Sequence, residues 1–100
     1  MNTSSNDDET LLIDLRNSSR NGSDIVLLFN LITQRLNWDR STPPRLFIGK
    51  IFHEAFGLSL NGIRLTKAAI YSLNYSASTG WSESDWDQSE LIAEIRSRDF

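Results

Sequence analysis

Residues 23–37 read SDIVLLFNLITQRLN and hold the longest mainly apolar run of the chain, Ile25 to Ile32. Within them Ile25, Phe29, Ile32 and Leu36 recur at intervals of four, three and four, the repeat of one helical face. Val26, Leu27, Leu28 and Leu31 widen the apolar surface over most of the circumference, as in a helix enclosed by other elements. Ser23 or Asp24 supplies a side-chain oxygen to cap its first amides. The stretch therefore predicts a central core helix from Ser23 to about Asn37, ending at Asn37-Trp38-Asp39 before the loop DRSTPP.

Beyond that loop, Thr42 followed by Pro43 and Pro44 reads as an N-cap with proline in the first turn, where a missing amide hydrogen costs nothing. The helix so begun runs to Phe56, turns Ile48, Ile51, Phe52 and Ala55 inward, leaves Arg45, Lys50 and Glu54 outward, and stops at Gly57. Lys50 and Glu54 are spaced to pair along it. Gly49 in its interior costs about 1 kcal/mol against alanine, a loss offset where another helix crosses closely. Helices 23–37 and 43–56 form the core pair.

The flanks are weaker in pattern. Residues 1–7 are polar and read as a disordered tail, followed by a single helical domain over residues 8–100. Asp8 to about Asn17 is a short helix with Leu11, Leu12 and Leu15 on one face, and NSSRNGS, residues 17–23, is a linker of turn formers. Ser59 to about Asn74 reads as a helix through Ile63, Lys67, Ala68 and Ile70, although Ile70, Tyr71, Leu73 and Tyr75 also suit an edge strand. After the loop SASTG comes a last helix, about Glu83 to Arg98, with Leu91, Ile92 and Ile95 as its inward stripe. The fold expected is all-α, a compact single domain of four to five short helices.

Composition limits what such a domain does. In 100 residues, 39% are hydrophobic and 23% charged, enough for a core but with little left for a buried catalytic pocket. There is no cysteine, so disulfides, thiolate metal sites and a cysteine nucleophile are all excluded. His53 is the only histidine, with no ligand or catalytic partner near it in sequence beyond Glu54. No phosphate-binding loop, nucleophile elbow or zinc-protease motif occurs. The expectation is a protein without catalysis, metal or cofactor. The apolar run is too short to span a bilayer and the amino terminus is acidic where a signal peptide would be basic, so a cytoplasmic protein is expected.

The net charge of −3 conceals a polarity along the chain. Residues 1–15 hold four acids and no base, residues 16–67 eight bases and three acids, and residues 82–95 five acids and no base. The last of these, in GWSESDWDQSELIAEIRSRDF (80–100), is the richest in binding chemistry. On a continuous helix Trp86 lies opposite the mean direction of Leu91, Ile92 and Ile95, with Glu83, Asp87, Glu90 and Glu94 on its own face and Asp85 beside it. A tryptophan ringed by carboxylates has the make-up of a binding anchor, because aromatic residues dominate interface hot spots and acids steer a basic partner. The candidate partner-binding set is Trp86, Asp85, Asp87, Glu90, Glu94, Glu83 and Trp81. A structural alternative competes with it: Ser82 as N-cap, Asp85 at the capping-box position, and Trp81 and Trp86 as a hydrophobic staple.

The basic middle, Arg35, Arg40, Arg45, Lys50, Arg64 and Lys67, suggests a second class of function. IGKIFHEAFGLSLNGIRLTKAAI can be threaded on a helix-turn-helix with Gly57 in the turn and Ile63 in the second helix. That alignment puts His53 where helices should approach closely, leaves Arg64 and Lys67 for phosphates, and sits in an acidic domain, so nucleic acid is the less expected partner. Exposed apolar surface on the second or fourth helix would equally serve a homodimer.

The segment NWDRSTPPRLFIGKIFHEAFGLSL, residues 37–60, resembles small bacterial immunity proteins that neutralise the toxins of contact-dependent growth inhibition systems. The likeness lies in Pro43-Pro44-Arg45 followed by Ile48-Gly49-Lys50-Ile51-Phe52-His53-Glu54-Ala55-Phe56-Gly57, under a quarter of the chain. It implies a binder that covers the active site or substrate surface of a cognate toxin, often a nuclease, and it carries over no set of contact residues. An inhibitor of some other cellular machine would share the same acidic-surface logic.

Overall fold

The structure, a computed structural model, describes residues 3–36 and 41–97, with side chains from Glu9 onward. Its elements are α1 (Thr3–Arg20), α2 (Ile25–Leu36), α3 (Arg45–Phe56), α4 (Leu60–Ser72), a hairpin of β1 (Asn74–Ser76) and β2 (Gly80–Ser82), and α5 (Ser89–Arg96). The fold is all-α, five helices among the described residues with one small two-stranded sheet. None of these helices is long and apolar enough to cross a membrane. The expected ends of the second and last helices, at Asn37 and Arg98, lie outside the described residues, as do Trp38 and Arg40.

α2 occupies the place its periodicity predicts, with Ile25, Leu28, Phe29, Ile32 and Thr33 buried. Asp24 is its cap: Asp24 Oδ1 accepts from the Leu27 amide at 2.9 Å. A second free amide, that of Ile25, donates to Gln88 Oε1 at 2.7 Å, so a residue far along the chain completes the helix start. α3 buries Ile48, Ile51, Phe52, Ala55 and Phe56 as expected and ends at Gly57, whose amide donates to the His53 carbonyl at 2.9 Å. Arg16 of α1 donates from Nε to the Ala55 carbonyl at 2.7 Å, placing a cation at the negative end of α3.

Several boundaries differ from expectation. α1 begins at Thr3 and runs to Arg20, through Ser18 and Ser19 that were expected in a linker. Its end is a Schellman turn: the Ser23 amide donates to the Ser18 carbonyl and the Gly22 amide to the Ser19 carbonyl, with Gly22 at φ 97. The Asn-Gly pair thus terminates a helix, and burial of Ser19 overrides the low helix propensity around it. α3 begins at Arg45, with Pro44 in the cap position, so Thr42 is not the N-cap. Lys50 and Glu54 stay exposed and do not pair; Arg35 instead pairs with Asp14, joining α2 to the acidic α1. Gly49 also departs from its expected packing role, since a Cβ there would meet Ile70 Cδ1 at 3.7 Å, an ordinary contact.

The largest correction concerns residues 74–88. The helix α4, capped by Ser59 Oγ accepting from the Gly62 amide, stops at Ser72, and Tyr75 enters a strand. β1 and β2 pair antiparallel with Tyr75 opposite Trp81. The expected helix from Glu83 begins only at Ser89, and residues 83–88 form a loop. The cause lies in Trp81, which is 3% exposed. Its ring meets Phe29 and Tyr75 edge-to-face, Phe29 meets Phe52, and Phe52 meets Phe56, all with centroids 5.1 to 5.2 Å apart. Such pairs each contribute about 0.5–1.5 kcal/mol beyond area burial. The indole Nε1 donates to Thr33 Oγ1 at 3.1 Å, so the buried ring leaves no polar atom unmet.

Asn30 of α2 completes the docking. Its Nδ2 donates to the Trp81 carbonyl at 3.0 Å and its Oδ1 accepts from the Trp81 amide at 2.8 Å, so one side-chain amide replaces a neighbouring strand. Gly80 (φ 80) is required on both counts there, because a Cβ would stand 2.6 Å from Asn30 Oδ1. Asn30→Ala is expected to cost about 1–3 kcal/mol by leaving both Trp81 backbone groups without partners. Urea unfolding measures the loss, and faster hydrogen exchange at the Trp81 amide locates it.

Candidate functional site

The seven residues singled out from the sequence separate into three groups. Trp81 belongs to the core and offers no surface to a partner. The capping alternative fails with it: Ser82 lies in β2, not at a helix start, so Trp81 and Trp86 do not staple a helix. Glu94 is half-buried and accepts a hydrogen bond from the Ser59 hydroxyl at 2.9 Å. That carboxylate sits against the capped start of α4, a favourable place for negative charge, and it ties α5 to α4. Their close approach is also visible at Gly62, where a Cβ would lie 3.0 Å from both Glu94 Cγ and Leu58 Cβ.

Glu83, Asp85, Asp87 and Glu90 form the third group, all exposed, spread over the loop 83–88 and the first turn of α5. Trp86 stands among them, half-buried, with part of its indole packed against the core. None of the four carboxylates pairs with a cation among the described residues. Their spacing on a helical face, assumed from the sequence, does not exist, because the chain between Glu83 and Gln88 is not helical. What brings them together is a loop held at several points.

Asn74 Nδ2 donates to the Glu83 carbonyl at 2.9 Å, fixing the loop where it leaves the hairpin. The Trp86 amide donates to Ser84 Oγ at 3.2 Å. At the far end the Gln88 side chain reaches α2 through Ile25. Asp87 Oδ1 accepts from both the amide and the hydroxyl of Ser89, at 3.0 and 2.6 Å, a local turn just before α5. The two Ser89 bonds, the hydroxyl one foremost, hold the Asp87 carboxyl below the ordinary aspartate range despite a small opposing effect of burial. The loop therefore presents fixed negative charge around a partly exposed indole.

Among the described residues no group of three His, Asp or Glu side chains gathers closely enough to hold a metal ion. His53 is exposed on α3. A feature that the pattern of residues did not reveal is a groove between α3 and α4 with basic rims, lined in part by Arg45, Lys50 and Lys67. Its signal in the sequence was Gly49, read there as a packing device. Comparison of the chain with protein-family models, curated proteins and solved structures finds no match to any.

The lowered Asp87 pKa has a definite sign in stability. A carboxyl whose pKa falls on folding contributes above its unfolded-state pKa, and the contribution is lost as pH falls through the folded value. Carboxyl-carbon NMR titration is expected to place the Asp87 midpoint below those of free aspartates. Ser89→Ala should move it back upward by removing the hydroxyl donor.

Proposed function

We propose that this protein neutralises a basic partner protein, a bacterial toxin such as a nuclease, by stoichiometric binding through the loop 83–88 and the first turn of α5. The observation that carries this reading is the set of four exposed carboxylates, Glu83, Asp85, Asp87 and Glu90, without a cation partner among the described residues and on the same short segment as the half-buried Trp86. Enzymes that act on nucleic acid grip phosphates with Lys and Arg, so an inhibitor competes by offering carboxylates in their place. Charge of one sign on the loop accelerates encounter, and a partly exposed indole supplies apolar area once a partner covers it. Because the loop is pinned at Glu83, Trp86 and Gln88 before any partner arrives, little ordering entropy is lost on binding.

The toxin as partner follows from the resemblance of residues 37–60 to immunity proteins; the basic character of that partner follows from the loop. The two are separable. Binding to a purified toxin domain encoded beside this protein tests the first, and loop variants test the second. Glu83→Lys with Asp85→Lys, both exposed positions, should slow association roughly tenfold or more and flatten its salt dependence. Trp86→Ala should chiefly speed dissociation. Unaltered affinity in the folded charge-reversed protein would refute the loop as the contact, and a salt-sensitive shift of a labelled DNA duplex would favour the helix-turn-helix reading instead.

A further inference from the structure

α3 and α4 lie side by side and leave between them a groove of about 270 Å³. Its charged lining residues, Arg45, Lys50 and Lys67, are all basic, in a protein whose net charge is −3. Its walls are apolar: Leu46, Ile63 and Tyr71 are 90%, 40% and 65% exposed, a concentration of solvent-facing apolar area on one feature. Arg45 stands 5.4 Å from the Tyr71 ring centroid, a cation–π contact that holds the guanidinium at the groove. Its Nε is enclosed, yet it donates to no acceptor among the described residues. The guanidinium is thus not committed through Nε to a described carboxylate of its own chain, and a carboxylate is the acceptor that guanidinium geometry matches best.

Gly49 on the groove wall is the second, independent observation. Glycine inside a helix is unfavourable relative to alanine, and it is usually retained where a neighbour leaves no room for a Cβ. At Gly62 that reason holds, with atoms of Glu94 and Leu58 at 3.0 Å from the position a Cβ would take. At Gly49 it does not, since the nearest atom, Ile70 Cδ1, would be 3.7 Å away. φ at Gly49 is also outside the left-handed region. Packing and backbone conformation therefore both permit alanine, and what its side chain would take up is space in the groove.

We propose that this groove is a second binding surface, distinct from the acidic loop, and that it receives an acidic amphipathic segment of a partner protein. An apolar side chain of that segment enters over Gly49 between Ile63 and Tyr71, and flanking carboxylates pair with Arg45, Lys50 and Lys67. A second copy of this chain is a poorer occupant, because its acidic segment 83–88 is a non-helical loop already pinned at Glu83, Trp86 and Gln88 and does not offer an amphipathic helix. A nucleic acid strand would find one exposed aromatic ring there, Tyr71, with Arg45 already against it. A lipid surface would meet the exposed Leu46 at the rim but would leave the groove at Gly49 unfilled, whereas an inserted side chain fills it.

The test uses a fluorescein-labelled peptide of glutamates carrying leucine and phenylalanine at helical spacing, with fluorescence anisotropy as readout. Saturable binding that weakens with salt is expected, together with no binding of the same peptide with lysine in place of glutamate. Lys50→Glu with Lys67→Glu, both exposed, should weaken binding roughly tenfold or more while the circular dichroism stays that of a folded protein. Gly49→Ala should do two things at once, raising Tm by about 2–8 °C and weakening the peptide several-fold. The proposal is overturned if the charge-reversed protein binds the peptide as the parent does, if Gly49→Ala lowers Tm, or if an oligothymidine strand or phosphatidylserine vesicles bind more tightly than the peptide. Toxin binding plays no part in these readouts, so they stand or fall apart from the acidic loop.

Discussion

Burial of the Trp81 indole is the interaction on which the rest of this structure depends. Two strands of three residues each cannot hold themselves together in water. They persist because Trp81 is inserted between Phe29 and Tyr75, its ring nitrogen satisfied by Thr33 and its backbone by Asn30. From there the edge-to-face contacts continue through Phe52 to Phe56, so one line of aromatic rings links the hairpin to α2 and α3. The loop 83–88 departs directly from this anchored strand, and the positions of its carboxylates are set by how Trp81 is held.

The division of charge along the chain resolves into surfaces of different kinds. Asp14 of the acidic first helix is spent on Arg35, and Arg16 is spent on the last carbonyls of α3. Glu94 is spent on Ser59. Among the charges left to solvent are an acidic set on the loop before α5 and a basic set along the α3–α4 groove. Charges that serve the fold and charges left to solvent thus come from the same runs of sequence, and only the contacts distinguish them.

The parts of the fold legible in the sequence are those whose cause is local. The faces of α2 and α3 follow from apolar spacing, and Asp24 and Gly57 mark ends through chemistry within a few residues. The hairpin was not legible, because the residue that receives Trp81 is Asn30, fifty-one positions away, and nothing near Trp81 announces it. For the same reason the last helix is shorter than its residue pattern predicts: Gln88 turns its side chain to α2, and Asp87 forms a turn with Ser89, where the helix starts. The acidic character of the site could be read directly, but its shape could not. Glu94 and Trp81, equally suited by composition, are removed from it by contacts with Ser59 and Thr33.

The clamp of Asn30 on Trp81 also orders events during folding. The hairpin has no stability until α2 exists to receive it, and the contacts that join them close loops of 48 to 63 residues. Such closures are entropically expensive and come late. A hairpin that depends on α2 for its stability is expected to lock on only once α2 has formed. A chain with a defective α2 would thus lose the ordered loop before it lost its helices. Correct presentation of the acidic surface is in this sense a report that the core beneath it has been completed.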